Sequence, residues 1–171
     1  MTPRMDRAKS RVVAGLVAGG LAAACLAGTS IGASAEMARS ATHTGNFTFA
    51  TPTTLVPLNN NGKTRLGFRF RDTPEGWRII TYSAECSVSG PIGGWVDIDI
   101  IVDGNVIPPT DSTADAFCSA LEGAGFDTWA TQSITVAVQL GQGSHRIQIR
   151  ARLNGGATGG WLSDSSLVIY D

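Results

Sequence analysis

Histidine is scarce in this sequence, and several kinds of functional site are excluded as a result. Only His43 and His145 occur in 171 residues, too few for a histidine cluster that holds zinc or a cupin-type metal. The one Gly-x-Ser-x-Gly match, Gly28-Thr29-Ser30-Ile31-Gly32, lies in the N-terminal segment that the sequence predicts to be removed on export, and no glycine-rich phosphate loop follows a strand. We therefore expect no catalytic triad, no resident metal and no cofactor.

Cysteine is also scarce, with three residues in the whole chain. Cys25 lies in the N-terminal segment, which leaves Cys86 and Cys118 as an even pair. In an exported protein such a pair predicts a disulfide bond, because the compartment is oxidising. Two thiolates without nearby histidines do not complete a tetrahedral zinc site, which argues against a metal at these cysteines.

The N-terminal segment has the pattern of a secretory signal peptide. Basic residues precede an apolar run from Val12 to about Ala27, and Ala33-Ser34-Ala35 forms a cleavage motif. The run is shorter than the roughly 20 residues that span a bilayer. We predict that residues 1–35 are removed before Glu36, and that the mature chain is secreted or periplasmic.

A second motif in this segment leaves an alternative open. Leu21-Ala22-Ala23-Ala24-Cys25 resembles the lipobox of bacterial lipoproteins, although the branched residue stands one place too early. The resemblance implies a membrane-anchored lipoprotein that is acylated on Cys25. Both alternatives predict export.

The mature chain is expected to be one domain with a mildly acidic surface. Removal of residues 1–35 from 171 leaves 136 residues, enough for one core. The formal net charge of the whole chain is −1 and that of the removed segment is +3, which leaves about −4. This charge argues against nucleic acid or an anionic membrane surface as a partner.

The clearest strand pattern runs from Trp95 to Val102 and ends in a tight turn at Asp103-Gly104. Apolar residues alternate with Asp97 and Asp99, which predicts a half-buried strand with an acidic, solvent-facing side. The turn residues favour positive φ angles, so the chain should reverse there and form a hairpin.

Similar alternation recurs along the chain between glycine and proline turns. We predict an all-β sandwich of about seven to nine strands, with jelly-roll or related Greek-key topology, over residues 46–171. Residues 36–45 have no period and are predicted to be a flexible leader. Residues 110–131 are predicted to be a long, partly irregular loop, with a short helix around Ala114–Leu121.

Tryptophan residues are the candidates for ligand binding. Two similar segments, Gly93-Gly94-Trp95 and Gly159-Gly160-Trp161, place an indole ring at a strand entrance beside glycines. Exposed rings at neighbouring loops would suit a sugar ligand, whereas buried rings would only complete the core. Trp77 and Trp129 are further candidates, with the same two interpretations.

Charged residues alternate on separate strands, and we predict that they pair across the sheet. Such a cross-strand ladder would fix the strand register. A calcium site at the aspartates is disfavoured, because the spacers are Ile and Val in a strand and not an oxygen-rich loop. An anion site on the arginines is an alternative, and these include Arg65, Arg69 and Arg71 of a further strand. The predicted ladder comprises Asp97, Asp99, Arg146, Arg150 and Arg152.

Three functional hypotheses follow from these patterns. The first is a non-enzymatic binding module at the bacterial surface or outside the cell, with glycan as the leading ligand. The second is a structural module that self-assembles into a homo-oligomer, as jelly rolls do in trimers. The third is a hydrolase that uses Asp97, Asp99 or Glu85 as carboxylate catalysts.

Overall fold

Antiparallel strands account for most of the described chain. A computed structural model describes residues 37–60, 63–112, 115–120 and 127–171. Side chains are described for all of these except residues 37, 38, 60, 72, 73 and 127–129. The predicted signal peptide, Cys25 and Glu36 lie outside the described residues. Within the described ranges there is no helix of the length and apolar character needed to cross a bilayer.

Thirteen strands occur in the described ranges. They are β1 (Met37–His43), β2 (Phe47–Phe49), β3 (Thr53–Leu55), β4 (Leu58–Asn60), β5 (Lys63–Arg65), β6 (Phe68–Thr73), β7 (Gly76–Ser89), β8 (Trp95–Val102), β9 (Asn105–Val106), β10 (Cys118–Ser119), β11 (Asp127–Leu140), β12 (Gly143–Asn154) and β13 (Gly159–Tyr170). The count exceeds the predicted seven to nine because six strands have only two or three residues. Segments this short carry too little alternation to be recognised in sequence.

The strands form two antiparallel sheets that face each other. Sheet A has the order β11-β7-β13-β1-β4-β5, with β2 also paired to β13. Sheet B has the order β10-β8-β12-β3, with β6 also paired to β12 and β9 to β8. Neighbouring strands are often distant in sequence, as in Greek-key arrangements. The all-β sandwich predicted from the sequence is therefore confirmed.

The core lies between the two sheets and follows the predicted alternation. In β7 the inward residues are Ile80, Tyr82, Ala84, Cys86 and Val88, and all are fully or almost fully buried. They face the inward side of β8, whose members are equally buried: Val96, Ile98, Ile100 and Val102.

The segment predicted to be a flexible leader instead forms a strand inside sheet A. Strand β1 pairs with β13 along its length, and Thr42 of β1 is also opposite Asn59 of β4. Ala41 is buried. The leader prediction is wrong because hydrogen bonds from the backbone stabilise this strand, and they need no alternation of side chains.

The prediction for residues 110–131 is also wrong in part. Ala114 and Leu121 lie outside the described residues, but between them Cys118–Ser119 forms strand β10, paired with Val96 and Trp95 of β8. A helix over this segment is therefore excluded. The C-terminal part of the predicted loop belongs to the 14-residue strand β11, which begins at Asp127.

Two local features match their predictions. The chain reverses at Asp103 and Gly104, with φ angles of 49° and 89°, and strand β9 pairs back onto β8. The predicted disulfide joins Cys86 to Cys118. Because Cys86 belongs to sheet A and Cys118 to sheet B, this bond links the two sheets covalently.

Candidate functional site

The two aspartates of β8 are buried, contrary to the sequence prediction of a solvent-facing acidic side. Asp97 and Asp99 are both 0% exposed. Residues 107–112 fold back beside β8: the Ile107 amide donates to the Ile100 carbonyl, and the Ile100 amide donates to Thr110 Oγ1. Together with arginine side chains from β12, this segment encloses both carboxylates.

Arginines on the adjacent strand β12 neutralise these carboxylates. Arg150 lies directly opposite Asp99, and Arg152 opposite Asp97. Arg150 Nε donates to Asp99 Oδ2 at 2.6 Å, and Arg152 Nη2 donates to both aspartates and to the Ser112 carbonyl. We call these four side chains the buried ion network.

Burial changes the protonation behaviour of the network. It raises the pKa of Asp97 to about 6; the guanidinium of Arg152 opposes this effect, and the charge of Asp99 adds to it. Asp97 Oδ1 and Arg152 Nε have no hydrogen-bond partner among the described residues. Neither carboxylate is accessible to a ligand, so the geometry offers no support for catalysis by these residues.

Arg146, the fifth residue of the predicted ladder, lies apart from the buried ion network. It is opposite Arg69 of β6, and its backbone amide donates to Asp103 Oδ1 at 2.8 Å. Asp103 Oδ2 lies 2.7 Å from His145 Nδ1. The hydrogen bond with Asp103 is the main reason why the pKa of His145 is raised. The prediction that Arg146 belongs to the ladder is therefore wrong.

The two Gly-Gly-Trp segments meet at one end of the sandwich, but their rings do not share a surface. Gly94 packs against the backbone of Ala157 in the loop before β13. Trp95 and Trp161 each precede a core residue of a different sheet. Since adjacent side chains point to opposite faces, the two rings lie on the opposite outer faces of the sandwich.

Trp95 is held by a glycine that permits a close approach. A Cβ atom on Gly155, which has a φ angle of +59°, would lie only 2.5 Å from the Trp95 ring. Trp95 Nε1 is buried and has no hydrogen-bond partner among the described residues. Trp95 is therefore packed beneath a loop and presents little of its ring to a ligand.

Trp161 lines an open groove of about 430 Å³ on the outer face of sheet A. Its neighbours across the strands are Thr48 of β2 and Ser87 of β7, and Ser89 also lines the groove. A Cβ atom on Gly160 would lie 2.3 Å from the Phe49 ring. Glycine at this position therefore lets Phe49 pack beneath the strand next to Trp161.

The groove continues into a surface rich in hydroxyl groups, which we call the hydroxyl face. It consists of the outward positions of three adjacent strands, as the strand register shows. Glu85 is the one carboxylate among these outward positions of β7, beside Ser163 of β13 and Thr131 of β11. The hydroxyl residues are Thr81, Ser83 and Ser89 of β7, Thr131, Ser133 and Thr135 of β11, and Ser166 of β13; Ser87 and Ser163 lie in the same rows but are buried.

A second tryptophan lies at the other end of this surface. Trp77 is 64% exposed, and Ile79 beside it is also exposed. Trp77 precedes Ser87 by ten residues in β7, a distance of about 33 Å along a strand. The side chain of Trp129 lies outside the described part of the chain. The hydroxyl face thus has one indole ring at each end.

Comparison with known proteins assigns no family to the chain. No protein-family model matches it, and no curated protein does so. Among solved structures, a family 35 carbohydrate-binding module from Clostridium thermocellum matches with 15% identity and a TM-score of 0.36, over 77% of this chain and 98% of that chain.

Two further solved structures are similar at the same low level. A carbohydrate-binding module from Cellvibrio mixtus lichenase 5A, in complex with cellotriose, has 15% identity and a TM-score of 0.30, over 80% of this chain and 98% of that chain. A protein of infectious bursal disease virus strain Gx has 14% identity and a TM-score of 0.38, over 79% of this chain and 32% of that chain. At these scores the similarities assign no ligand.

Metal ligation has no candidate in the part of the chain that the structure describes, since no three His, Cys, Asp or Glu side chains lie together.

The hydroxyl residues around Trp161 were not singled out by sequence reasoning. The sequence does show Thr and Ser at alternate, outward positions of β7. The same alternation occurs in any strand with one face in solvent, so it does not indicate a binding surface. Only the strand register shows that these residues adjoin Trp161.

Proposed function

We propose that the mature chain is an exported, non-enzymatic β-sandwich module that binds glycan on the hydroxyl face of sheet A. The observation that carries this proposal is the groove beside Trp161, lined by hydroxyl side chains. Its volume of about 430 Å³ falls within the range of roughly 300–1,000 Å³ that is usual for ligand sites. The signal peptide pattern supports export.

The chemistry of the groove suits a sugar. The apolar face of a pyranose ring can stack on the indole of Trp161, because this ring combines a large apolar surface with a polar edge. Sugar hydroxyls both donate and accept hydrogen bonds, as do the hydroxyls of Thr48 and Ser89, which line the groove. The hydroxyl face would extend the contact along an oligosaccharide towards Trp77.

Replacement of Trp161 by alanine tests this function. We expect Trp161→Ala to weaken glycan binding by at least about tenfold, which corresponds to the loss of one aromatic stacking contact of about 1.4 kcal/mol. Binding would be measured on a glycan array and then by titration with the best oligosaccharide. Thermal unfolding would show that the variant still folds.

Two matched variants make this test specific. Trp161→Phe keeps an aromatic ring and should retain most of the binding. Trp77→Ala removes the same ring type about 33 Å away along the strand, and it should weaken only the binding of long oligosaccharides. Unchanged binding in folded Trp161→Ala protein would contradict the proposal.

Self-assembly is a second candidate function, and the edge of sheet A favours it. Strand β11 lies at the end of the sheet and pairs only with β7 among the described strands. It contains no charged residue from Thr128 to Leu140. Long edge strands without charge or proline are templates for pairing with another chain. A second copy of this chain would extend the sheet there.

Lysines on this edge are expected to abolish such pairing. The exposed residues Ser133 and Ala137 of β11 would be replaced together by lysine, and the molar mass measured by light scattering at high concentration. We expect an oligomer for the unmodified protein and a monomer for the variant. Lysines at the exposed residues Thr51 and Asn105 add the same charge elsewhere. A monomer in every case would rule out assembly through β11.

A further inference from the structure

Three arginines converge near the junction of the two sheets, on the side of the molecule away from β11. Arg65 ends β5 in sheet A, whereas Arg69 and Arg146 belong to β6 and β12 in sheet B. Together with Leu66 and Gly67 they line a cavity of about 250 Å³. Neither the glycan groove nor assembly through β11 uses these residues.

The charges in this cluster are not balanced as they are in the buried ion network. Arg69 and Arg146 lie directly opposite each other on antiparallel strands, an arrangement that is destabilising for like charges. Among the described residues, no carboxylate forms an ion pair with Arg65, Arg69 or Arg146. Asp103 accepts a hydrogen bond from the Arg146 backbone and pairs with the His145 ring, and Arg69 attracts its carboxylate only through space, without an ion-pair contact.

The loop between β5 and β6 holds the cluster in place. The Leu66 carbonyl accepts a hydrogen bond from Gln148 Nε2 at 3.0 Å and one from Arg146 Nη2 at 3.4 Å. A Cβ atom on Gly67, where φ is +151°, would lie 3.0 Å from Arg146 Nε. Glycine therefore lets the loop backbone approach the guanidinium, and this approach fixes one wall of the cavity.

We propose that Arg65, Arg69 and Arg146 form a binding site for a tetrahedral oxyanion, a sulfate or phosphate group. Planar guanidinium groups bind such anions with paired, charge-assisted hydrogen bonds. A bound anion would also remove the repulsion between Arg69 and Arg146. The cavity of about 250 Å³ is smaller than most sites for drug-sized ligands, so it suits a single anionic group.

The same anionic group has two sources, the free ion and a sulfate ester on a polysaccharide. The site is independent of the proposed glycan groove, because Trp161 lies on the outer face of sheet A and Arg69 and Arg146 lie on sheet B. A failure of the glycan proposal in the Trp161→Ala test therefore leaves the oxyanion site intact. A failure of the oxyanion site likewise leaves the glycan groove intact.

Arg69→Gln tests the site, with Arg71→Gln as the matched control. Both residues lie on the outer face of β6, but only Arg69 lines the cavity. The probes are sodium sulfate, sodium phosphate and dextran sulfate, compared with sodium chloride at equal ionic strength and with neutral dextran. Affinity is measured by isothermal titration, and thermal unfolding monitors the fold.

We expect Arg69→Gln to weaken oxyanion binding by at least about tenfold, because one charge-assisted contact is lost. We expect Arg71→Gln to weaken it by less than about threefold.

The probes distinguish the source of the anion. Binding of the free ions identifies a small-anion site, whereas binding of dextran sulfate alone identifies a polymer-borne sulfate; either result supports the proposal. Without anion, Arg69→Gln should unfold at the same or a higher temperature. Arg65→Gln provides a second test if Arg69→Gln folds poorly.

Two results would overturn the site. One is that sulfate, phosphate and dextran sulfate bind the unmodified protein no better than their controls do. The other is an equal loss in Arg69→Gln and Arg71→Gln, which would mean that the arginines act only through the overall charge of the surface.

Discussion

Reduction of the Cys86–Cys118 bond is expected to lower the free energy of unfolding by about 4 kcal/mol. The two cysteines are 32 residues apart in sequence, and a closed loop of this length restricts the unfolded chain substantially. The bond also attaches β10, a strand of only two residues, to the C-terminal part of β7. Such a loss is a large part of the roughly 5–15 kcal/mol that stabilises a typical domain.

Urea unfolding of the oxidised and the reduced protein measures this contribution. The comparison keeps both cysteine side chains, so no atom other than the added thiol hydrogens differs between the two proteins. The double variant Cys86→Ala and Cys118→Ala serves as the control, because a reductant should leave its stability unchanged. A difference below about 1 kcal/mol between the oxidised and reduced proteins would contradict this explanation, because it would show that restricting the unfolded chain contributes little to the stability of the fold.

Alternation in the sequence predicted which residues of the long strands face the core. In β7 and β8 every inward residue that the pattern indicated is buried, because burial of one sheet face requires a period of two. The hairpin at Asp103-Gly104 was predictable for a similar reason, since its positive φ angles restrict the residue types that are favoured there.

The same pattern could not predict what covers the opposite side of a strand. Asp97 and Asp99 were expected in water, yet residues 107–112 and the arginines of β12 enclose them. This contact depends on the path of the chain after β9, which has no period in sequence. Strand β1 was missed for a related reason. Its residues show no alternation of apolar side chains, and the strand is held instead by backbone pairing with β13, which the sequence does not reveal.

The relation between the tryptophans also depends on tertiary structure. The two Gly-Gly-Trp segments suggested one shared surface, and their loops do meet at one end of the sandwich. Since Val96 and Leu162 are the core residues that follow the two rings in different sheets, the rings point away from each other. Of these two rings, only that of Trp161 therefore adjoins the hydroxyl face.

Replacement of Arg152 by methionine is expected to cost about 3–5 kcal/mol of stability at pH 8, the usual cost of breaking a buried ion pair. Arg152 donates to Asp97, to Asp99 and to the Ser112 carbonyl. Arg150 would still pair with Asp99, but Asp97 would be left as a buried charge without a cation. Methionine retains the unbranched apolar stem, so the loss should arise mainly from the missing charge.

The loss should become smaller as the pH falls. The pKa of Asp97 is raised to about 6 in the folded protein by burial, whereas an unfolded aspartate titrates near 3.9. The folded state therefore binds this proton more tightly, and the contribution of Asp97 to stability increases as the pH decreases from above 6 towards 4. Without Arg152 the pKa of Asp97 should rise further, so protonation at pH 5 should relieve most of the penalty.

Denaturant unfolding at pH 5 and pH 8 tests this explanation, with Asp97→Asn as the partner in a double-mutant cycle. Asparagine has nearly the same shape as aspartate and carries no charge, so adding it to Arg152→Met should restore at least about half of the lost stability at pH 8. If the loss were equal at both pH values and unchanged by Asp97→Asn, the unpaired charge would not be its cause. Arg152 would then stabilise the fold mainly by holding residues 107–112 through the Ser112 carbonyl.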